Sequence, residues 1–447
     1  MDSKAMDLVR EAFHYQSRFA GSTMVFKIDF PVTGEPCFPS LMRDLALLAR
    51  TGFKVVIVPG AKEWIDRVLS EYGIRSAWVS AGENGKHALR VTGEKAMPFV
   101  EMAAFHVATR FMTALSGSRS DSVIGSFVRA RGLGVVAGRD MESTGRVEKI
   151  LTGPIGKVLD LGLIPILPCI GWGPSGKPYN VPSDEIALAA SAALGAVKLF
   201  IISIGKGLRA GVLKLPENVE IGENGRIIRL TPREAEAVLA LNAGADAAPA
   251  ELRLALAASR AGVERVHIID GREEGAVLRE LFSNLGAGVM VYADEYEAIR
   301  PLKTADIPDV LRIMEPLMRQ GVLVRRGPQD IQEGKENFAV FDIDGKVHAC
   351  GALIPWGEGQ GEIAAVAVDP SYSDRGLGRR IVGFLINRAS KAGLSRVFAL
   401  TTKTLDWFEA LGFKESAPES LPEARRKNYD GERKSKVYSL ELSESPV

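Results

Sequence analysis

The sequence is poor in cysteine and histidine, with three cysteines (Cys37, Cys169 and Cys350) and five histidines in 447 residues. The wide spacing of the cysteines excludes a disulfide framework, and so few thiol and imidazole groups disfavour a zinc cluster. We therefore expect a function that uses no metal.

The chain also lacks an excess of either charge. Its 56 basic and 55 acidic residues leave a net charge of +1. Nucleic-acid-binding proteins usually present a strong basic excess, so this balance gives no reason to expect a nucleic-acid partner.

Long apolar runs are absent as well. The N-terminal sequence MDSKAMDLVREAF has no apolar signal core. The longest apolar patch, residues 158–170, contains Asp160 and two prolines and is too short to span a bilayer. We therefore expect a cytoplasmic protein with no membrane partner.

What the sequence does contain is typical of a large globular protein, with 46% hydrophobic and 25% charged residues. Its 447 residues exceed one typical core. From about Met24 to Tyr292, short apolar strands alternate with amphipathic helices, which predicts an α/β unit with a mainly parallel sheet between helices. A second pattern starts near Glu295, so we expect two domains, 1–294 and 295–447.

The second unit has an α+β pattern. Its predicted order is β-α-ββ-β-α-β-α-β, in which Asp344-Gly345 between two alternating runs indicates a hairpin. Residues 361–393 predict a strand, a glycine-bearing loop and a helix. Unpaired N–H groups at the start of that helix favour an anion, and glycines allow it to approach the backbone. Neither a P-loop nor the full Rossmann glycine pattern is present.

This loop, Ser373-Asp374-Arg375-Gly376-Leu377-Gly378, resembles the pyrophosphate loop of the GCN5-related N-acetyltransferases (GNAT), Arg/Gln-x-x-Gly-x-Gly/Ala, although Ser373 departs from the pattern. The resemblance implies acetyl-CoA as co-substrate. The residues that it implies for acetyl-CoA binding are Val366, Ala367, Val368, Arg375, Gly376, Leu377, Gly378 and Arg379. The alternatives are a turn before an ordinary helix and, for the two arginines, a solvated helix face.

The first unit resembles the amino-acid kinase fold, and within it the N-acetylglutamate kinase branch. The residues that carry this resemblance are Leu89-Arg90-Val91-Thr92, Tyr179-Asn180-Val181-Pro182-Ser183-Asp184-Glu185 and Val266-His267-Ile268-Ile269-Asp270-Gly271-Arg272. A kinase-like domain followed by a GNAT domain resembles the architecture of the N-acetylglutamate synthase family, bacterial type.

This resemblance implies an activity and an assembly. Acetyl-CoA and L-glutamate would give N-acetyl-L-glutamate and CoA, the first step of arginine biosynthesis. The chains would assemble into hexamers or tetramers.

Three segments depart from the kinase pattern. The family's Lys-x-Gly-Gly is Lys27-Ile28-Asp29-Phe30 here, its His-Gly-Gly-Gly is Pro59-Gly60-Ala61-Lys62, and Glu251 stands where a lysine is expected. Phosphoryl transfer depends on glycine N–H groups and cations around the phosphates. An aspartate and a glutamate at these positions would repel the negatively charged phosphates. We therefore predict a regulatory domain without kinase activity.

Arginine-sensitive members of the family bind L-arginine between an N-terminal helix and the far end of this domain. The positions similar to that site are Tyr15, His267, Glu280 and Gly286. Glu280 suits a guanidinium, because the two can form paired charge-assisted hydrogen bonds. The alternatives are simple packing for Tyr15 and a core position for His267. The sign of the arginine effect stays open.

Acetyl transfer to an amine needs a proton acceptor and donors for the developing oxyanion. Glu362, at the head of the strand before the loop, resembles the family's general base, which acts through water. The alternative is that it merely begins a strand. Thr401 resembles the group that protonates the departing thiolate, with Thr402 or water as alternatives.

L-Glutamate carries two carboxylates, so its site calls for cations or hydroxyl donors. The positions that resemble the family's substrate contacts are Leu323, Arg325, Arg433 and Ser435. Two other functions stay open: acetylation of another amino acid or amine, and a regulatory sensor that binds arginine or acetyl-CoA without turnover.

Overall fold

The computed structural model describes most of the chain. The described residues are 13, 15–17, 19–81, 87–205, 208–216, 219, 221–222, 225–243, 249–282, 288–292, 297–343, 345–402, 405–429 and 435–442. They form two compact units, Met1–Asp294 and Glu295–Val447. Within the described residues, none of the helices has the length and apolarity that crossing a bilayer requires.

A mainly parallel sheet forms the centre of the first unit. The strands of this unit are Thr23–Asp29 (β1), Lys54–Gly60 (β2), Ala77–Ala81 (β3), His87–Val91 (β4), Ser122–Ile124 (β5), Val128–Gly132 (β6), Val135–Val136 (β7), Arg139–Asp140 (β8), Gly145–Ile150 (β9), Ile164–Ile166 (β10), Ile170–Trp172 (β11), Pro178–Asn180 (β12), Lys198–Ser203 (β13), Arg229–Leu230 (β14), Arg265–Asp270 (β15) and Val289–Tyr292 (β16). Eight of them form one sheet in the order β14-β16-β15-β13-β1-β2-β10-β5. Its neighbours are parallel except β15 and β16. A four-stranded sheet, β12-β11-β6-β9, and the ribbons β3-β4 and β7-β8 accompany it.

The helices of the first unit pack with this sheet into two hydrophobic cores, one on each face. They are Phe38–Arg50 (α1), Lys62–Glu71 (α2), Met97–Gly117 (α3), Thr152–Asp160 (α4), Ser183–Ala193 (α5), Pro232–Leu241 (α6), Ala250–Arg260 (α7) and Ala276–Phe282 (α8). On β1, Phe26 and Ile28 pack into one core and Val25 into the other. Because successive side chains of a strand alternate between faces, a continuous apolar run fills both cores.

The second unit has one seven-stranded sheet. Its strands are Glu297–Pro301 (β17), Phe338–Ile343 (β18), Lys346–Gly357 (β19), Gln360–Val368 (β20), Arg396–Thr401 (β21), Lys414–Ser416 (β22) and Lys436–Glu441 (β23). They lie in the order β17-β18-β19-β20-β21-β23-β22, and only β20 and β21 are parallel among these described pairs.

Helices pack on both faces of this second sheet. They are Ile307–Arg319 (α9), Pro328–Glu333 (α10), Leu377–Lys391 (α11), Leu405–Glu409 (α12) and Glu423–Lys427 (α13). Ile381 and Leu385 of α11 lie in one core, and Val310 and Ile313 of α9 lie in the other. The order predicted from the sequence lacked three short elements, α10, β22 and α13.

The predicted hairpin joins β18 and β19. Gly345 has φ +81°, and its N–H donates to Asp342 Oδ1 at 2.6 Å. A glycine is favoured here because side chains rarely tolerate positive φ. Asp344 lies outside the described residues.

Candidate active site

Strands β20 and β21 pair only at one end, which leaves a gap in the sheet of the second unit. Their parallel pairing ends at Glu362, opposite Phe398. Beyond this point β20 stays paired with β19 as far as Val368, and β21 with β23 as far as Thr401. Over the described residues 363–368, the edge of β20 towards the gap has no partner strand. Backbone N–H groups on that edge can therefore bind a ligand.

A β-bulge bends β20 beside this gap. Between Cys350 and Ala352 of β19 the register shifts, because β20 has one more residue than its partner. Ala365, within the bulge, has φ +53°. A bulge of this kind re-aims the side chains that follow it. After it, Val366 and Val368 pack towards the α11 core and Ala367 towards the opposite core.

The predicted pyrophosphate loop lies where this strand leads into α11. Pro370–Arg375 forms a 3-10 turn, and Gly376 follows with φ +67° at the N-cap of α11, without a side-chain cap. Ser373, the departure from the family pattern, donates from Oγ to the carbonyl of Pro370 at 2.8 Å. The first turn of this 15-residue helix therefore keeps backbone N–H groups available for a phosphate.

The other predicted loop residues differ in which of their groups a bound phosphate could contact. Leu377 is buried in the core, so only its backbone is available to a ligand. A Cβ on Gly378 would lie 3.1 Å from the ring of Trp407, so this position requires a small residue. Arg379 is exposed, and the side chain of Arg375 lies outside the described part of the chain.

Asp369 fastens the loop to the sheet. Its backbone N–H donates to the carbonyl of His348 at 2.8 Å, and its Oδ2 accepts from Arg312 Nη1 at 2.9 Å. The ring of His348 lies 4.1 Å from that of Tyr372. Burial lowers the pKa of His348, although Asp369 opposes the shift, so this imidazole is neutral at pH 7. The residue from which the loop starts, Asp369, is therefore held in place by its contacts with the sheet and with Arg312.

Glu362, the predicted general base, lies where the gap opens and is engaged in three hydrogen bonds. Its Oε2 accepts from Trp356 Nε1 at 2.9 Å and from Arg425 Nε at 2.7 Å. Its Oε1 accepts from Arg425 Nη2 at 3.3 Å. The side chain of Glu362 is 10% exposed and that of Arg425 is 15% exposed. The carboxylate is thus nearly buried and held by a two-point ion pair.

Sequence reasoning missed Trp356 and Arg425. Arg425 belongs to the basic run Arg425-Arg426-Lys427, which by itself is typical of a solvated helix face. It lies 63 residues from Glu362 in the chain. The sequence therefore contains no local signal that would pair the two residues.

Thr401 lies at the last paired position of β21, opposite Lys436 of β23, and is buried. Its neighbour Thr402 has a buried Oγ1 without a hydrogen-bond partner among the described residues. Both hydroxyls therefore lie where β21 ends beside the gap, and the two alternatives for the proton donor stay open.

The predicted substrate residues come from two separate segments. Leu323 and Arg325 follow α9, where Leu323 packs against the core and Arg325 is exposed. Ser435 is buried immediately before β23, and its carbonyl accepts from the hydroxyl of Tyr429. Because Lys436 pairs with Thr401, Ser435 lies next to the end of the gap. Arg433 lies outside the described residues.

In the first unit, His267 and Glu280 form a buried pair. His267 Nδ1 is 2.7 Å from Glu280 Oε1, and Glu280 Oε2 accepts from the N–H of Gly288 at 2.8 Å. Burial lowers the pKa of His267 to about 4, so the ring is neutral at pH 7 and donates from Nδ1. Its Nε2 is then an acceptor, buried and without a partner among the described residues. The predicted effector residue Gly286 lies outside them.

Tyr15 lies on the same side of the sheet as this pair. It is 5% exposed and stacks on Phe19 with 6.2 Å between ring centroids. Phe19 contacts the charged groups of Lys198 and Arg265. Arg265 and His267 are two residues apart on β15, so they project to one face. The structure therefore brings the N-terminal residues and His267 to one face of the sheet.

A separate cavity of about 690 Å³ in the first unit contains the altered kinase positions. Lys27 Nζ lies 2.7 Å from Asp29 and 2.9 Å from Asp184. Burial alone would lower the pKa of Lys27, but the two carboxylates raise it above its ordinary value. Glu251 accepts from Ser203 Oγ at 2.9 Å. The cavity thus has one buried ammonium held by internal carboxylates.

No group of three or more histidine, cysteine, aspartate or glutamate side chains is placed to hold a metal ion in the described part of the molecule.

Two family models match the chain. Residues 30–270 match the amino acid kinase family, and residues 308–413 match the acetyltransferase (GNAT) family. The chain is 33% identical over 429 residues to an amino-acid acetyltransferase of Neisseria meningitidis serogroup B, with 94% of each protein covered.

Two solved structures are similar over nearly the whole chain. One is N-acetylglutamate synthase from Neisseria gonorrhoeae complexed with coenzyme A and L-arginine, with 31% identity, a TM-score of 0.83 and coverage of 98% of this chain and 99% of that one. The other is the same synthase complexed with coenzyme A and N-acetyl-glutamate, with 31% identity, a TM-score of 0.59 and the same coverage.

Proposed function

Since the chain belongs to the amino-acid acetyltransferase family, we propose that it transfers the acetyl group of acetyl-CoA to the α-amino group of L-glutamate. The products are N-acetyl-L-glutamate and CoA, the first step of arginine biosynthesis. The observation that carries this proposal is the gap between β20 and β21, with Glu362 where it opens and a helix N-terminus beyond the end of β20. An extended thioester needs such a slot, with hydrogen-bond donors along one wall and an anion site at the end.

In the proposed mechanism, Glu362 accepts a proton from the substrate ammonium group, through water. The free amine nitrogen then forms a bond with the thioester carbonyl carbon. Backbone N–H groups of β20 in the region 366–368 donate to the oxygen that becomes negative. When the carbon–sulfur bond breaks, the thiolate takes a proton from Thr401, Thr402 or water. The nitrogen of the tetrahedral adduct loses a second proton as the amide forms. Two protons therefore leave the original ammonium group: one reaches sulfur through the donor hydroxyl or water, and the other is released to solvent by way of Glu362.

The substrate's two carboxylates are proposed to bind Arg325 and the pair Arg433 and Ser435. An arginine can hold a carboxylate through two parallel hydrogen bonds, which fixes its orientation as well as its charge. The position of Ser435 beside the last pair of β21 and β23 supports this assignment.

The kinase-like unit is proposed to have no phosphoryl-transfer activity. A phosphate that entered its cavity would meet the carboxylates of Asp29, Asp184 and Glu251. The one buried lysine among them, Lys27, is already paired with two of these groups. Phosphoryl transfer needs cations that are available to the phosphates. The role that remains for this unit is control by L-arginine.

Family membership also supports two further proposals. The protein is proposed to act in the cytoplasm, as a biosynthetic enzyme, and to assemble as a hexamer or a tetramer.

Release of CoA from acetyl-CoA by the purified protein tests the proposed function. We expect release with L-glutamate and little with D-glutamate, L-aspartate or L-glutamine. The two carboxylate contacts select the chain length and the second carboxylate, and the amine, which must reach the thioester, supplies the third point that selects the L enantiomer. Equal release with another amine would favour a different acetyltransferase. Tight binding of acetyl-CoA or arginine without any release would favour a sensor.

Glu280→Gln tests the proposed arginine site. A guanidinium can donate hydrogen bonds both to the Glu280 carboxylate and to Nε2 of His267, which has no partner among the described residues. Removing the buried charge is expected to raise the arginine concentration needed for half of its effect by roughly 30-fold or more. The rate without arginine should persist.

The matched control is Glu274→Gln, an exposed residue close in sequence. The measurement is a titration of CoA release with L-arginine, with thermal unfolding to verify the fold. An unchanged arginine response in a folded Glu280→Gln protein would show that the effector binds elsewhere.

A further inference from the structure

The two oxygens of the Glu362 carboxylate are occupied unequally. Oε2 accepts two short hydrogen bonds, from Trp356 Nε1 at 2.9 Å and from Arg425 Nε at 2.7 Å. Oε1 accepts one longer bond, from Arg425 Nη2 at 3.3 Å. A carboxylate oxygen has two lone pairs, so Oε2 is saturated while Oε1 retains capacity.

Arg425 is itself fixed in place. Its Nη1 donates to the carbonyl of Asn428 at 2.9 Å, and its guanidinium carbon lies 5.3 Å from the ring centroid of Trp356. Its side chain is 15% exposed, whereas that of Lys427 on the same short helix is 73% exposed. Arg425 is therefore not a solvated surface cation, and its geometry is set by its surroundings.

The helix that carries Arg425 is attached to the β19–β20 hairpin at a second point. Glu358, in the turn of that hairpin, accepts from the N–H of Glu423 at 3.2 Å. Leu421, just before the helix, forms a small core with Phe398 and Val437. The hairpin that bears Glu362 and the helix that bears Arg425 are thus held together independently of the ion pair.

Arg425 is the electrostatic partner of Glu362, because the other groups around Glu362 are uncharged or directed elsewhere. Its neighbours across the sheet are Ile354 on β19 and Phe398 on β21, both apolar. Among the described residues, Arg425 on α13 is the charged group in contact with the carboxylate. Glu358 is directed at the backbone of α13. Removing the guanidinium would therefore leave a nearly buried carboxylate without a counter-ion.

We propose that Arg425 is a positioning residue that orients the Glu362 carboxylate, so that Oε1 accepts the substrate proton, and cancels its charge, so that a dicarboxylate can approach. This inference rests on the proposed transfer to L-glutamate. Like charges a few ångströms apart repel strongly where water is excluded. An uncompensated Glu362 would thus oppose both carboxylates of the substrate. The two-point pair also fixes the plane of the carboxylate, which a single contact would not do.

Steady-state kinetics of Arg425→Met and Arg425→Lys test this role. For Arg425→Met we expect kcat to fall on the order of 100-fold and KM for L-glutamate to rise, with KM for acetyl-CoA unchanged. Arg425→Lys keeps the positive charge but loses the two-point contact, so it should recover KM for L-glutamate but only part of kcat.

A double variant separates positioning from a merely structural role. If Arg425 acts through Glu362, then Glu362→Gln combined with Arg425→Met should be no slower than Glu362→Gln alone. Lys427→Met is the matched control and should behave as the wild type. Thermal unfolding of each variant verifies the fold, and Arg425→Lys serves as the test if Arg425→Met does not fold.

The outcomes distinguish this inference from the proposed function. A folded Arg425→Met or Arg425→Lys protein with wild-type kinetics would overturn the positioning role while L-glutamate acetylation stands. A loss of kcat with KM for L-glutamate unchanged in Arg425→Met, or multiplicative losses in the double variant, would also overturn it. If wild-type protein releases no CoA with L-glutamate, the proposed function itself fails.

Discussion

Glu362→Gln is expected to lower kcat for CoA release by about 10²- to 10⁴-fold, the usual contribution of a general base. The amide has nearly the shape of the carboxylate, so the contact with Trp356 can persist, but it cannot accept a proton at neutral pH. An α-amino group is mostly protonated near neutrality, which makes the acceptor necessary. The loss should shrink as pH rises, because more of the substrate amine is then already deprotonated.

The control for this variant is Glu336→Gln, an exposed acidic residue of the same unit. It should leave the kinetics unchanged. Retention of kcat near pH 7 in a folded Glu362→Gln protein would show that proton removal does not depend on this carboxylate. Glu362 would then be a structural partner of Arg425.

Arg433→Ala is expected to lower kcat/KM for L-glutamate on the order of 100-fold, the effect of losing a two-point charged contact. Most of the change should appear in KM for L-glutamate, with KM for acetyl-CoA unaffected. The preference for L-glutamate over L-glutamine should fall as well if Arg433 binds the side-chain carboxylate. Initial rates with both amino acids measure these effects.

Arg426→Ala provides the comparison for Arg433→Ala, because Arg426 is an exposed arginine in the preceding helix. It should keep the wild-type rate and preference. If Arg433→Ala behaves in the same way, then Arg433 is a solvated side chain and another group binds the second carboxylate.

Patterns local in sequence predicted the α/β class, and the family resemblance implied the acetyl-transfer chemistry; both are confirmed by the family models and the similar solved structures. The continuous apolar runs of the first unit predicted a parallel sheet because such a sheet is buried on both faces. The glycine-bearing loop before α11 predicted a phosphate site because a helix N-terminus has unpaired N–H groups. The individual residues of the substrate and effector sites stay predictions.

Short irregular elements were harder to predict from the sequence. The run LIPILPCIGW forms two strands, Ile164–Ile166 and Ile170–Trp172, with Leu167-Pro168-Cys169 between them. The three-residue strand β22 and the five-residue helix α13 have too few positions to show a period. Pairing with β23 stabilises β22, and the burial of Leu421 against Phe398 and Val437 fixes the chain just before α13.

The sequence alone determined which residue types are available: a glutamate at the head of a strand, glycines at a helix start, and acidic residues at the altered kinase positions. The tertiary structure decided which of them meet. Only the fold places Arg425 and Trp356 on Glu362 and Asp29 on Lys27, because these contacts depend on the three-dimensional packing of side chains. The register of β20 past its bulge was decided in the same way, since one extra residue reverses which face each side chain occupies.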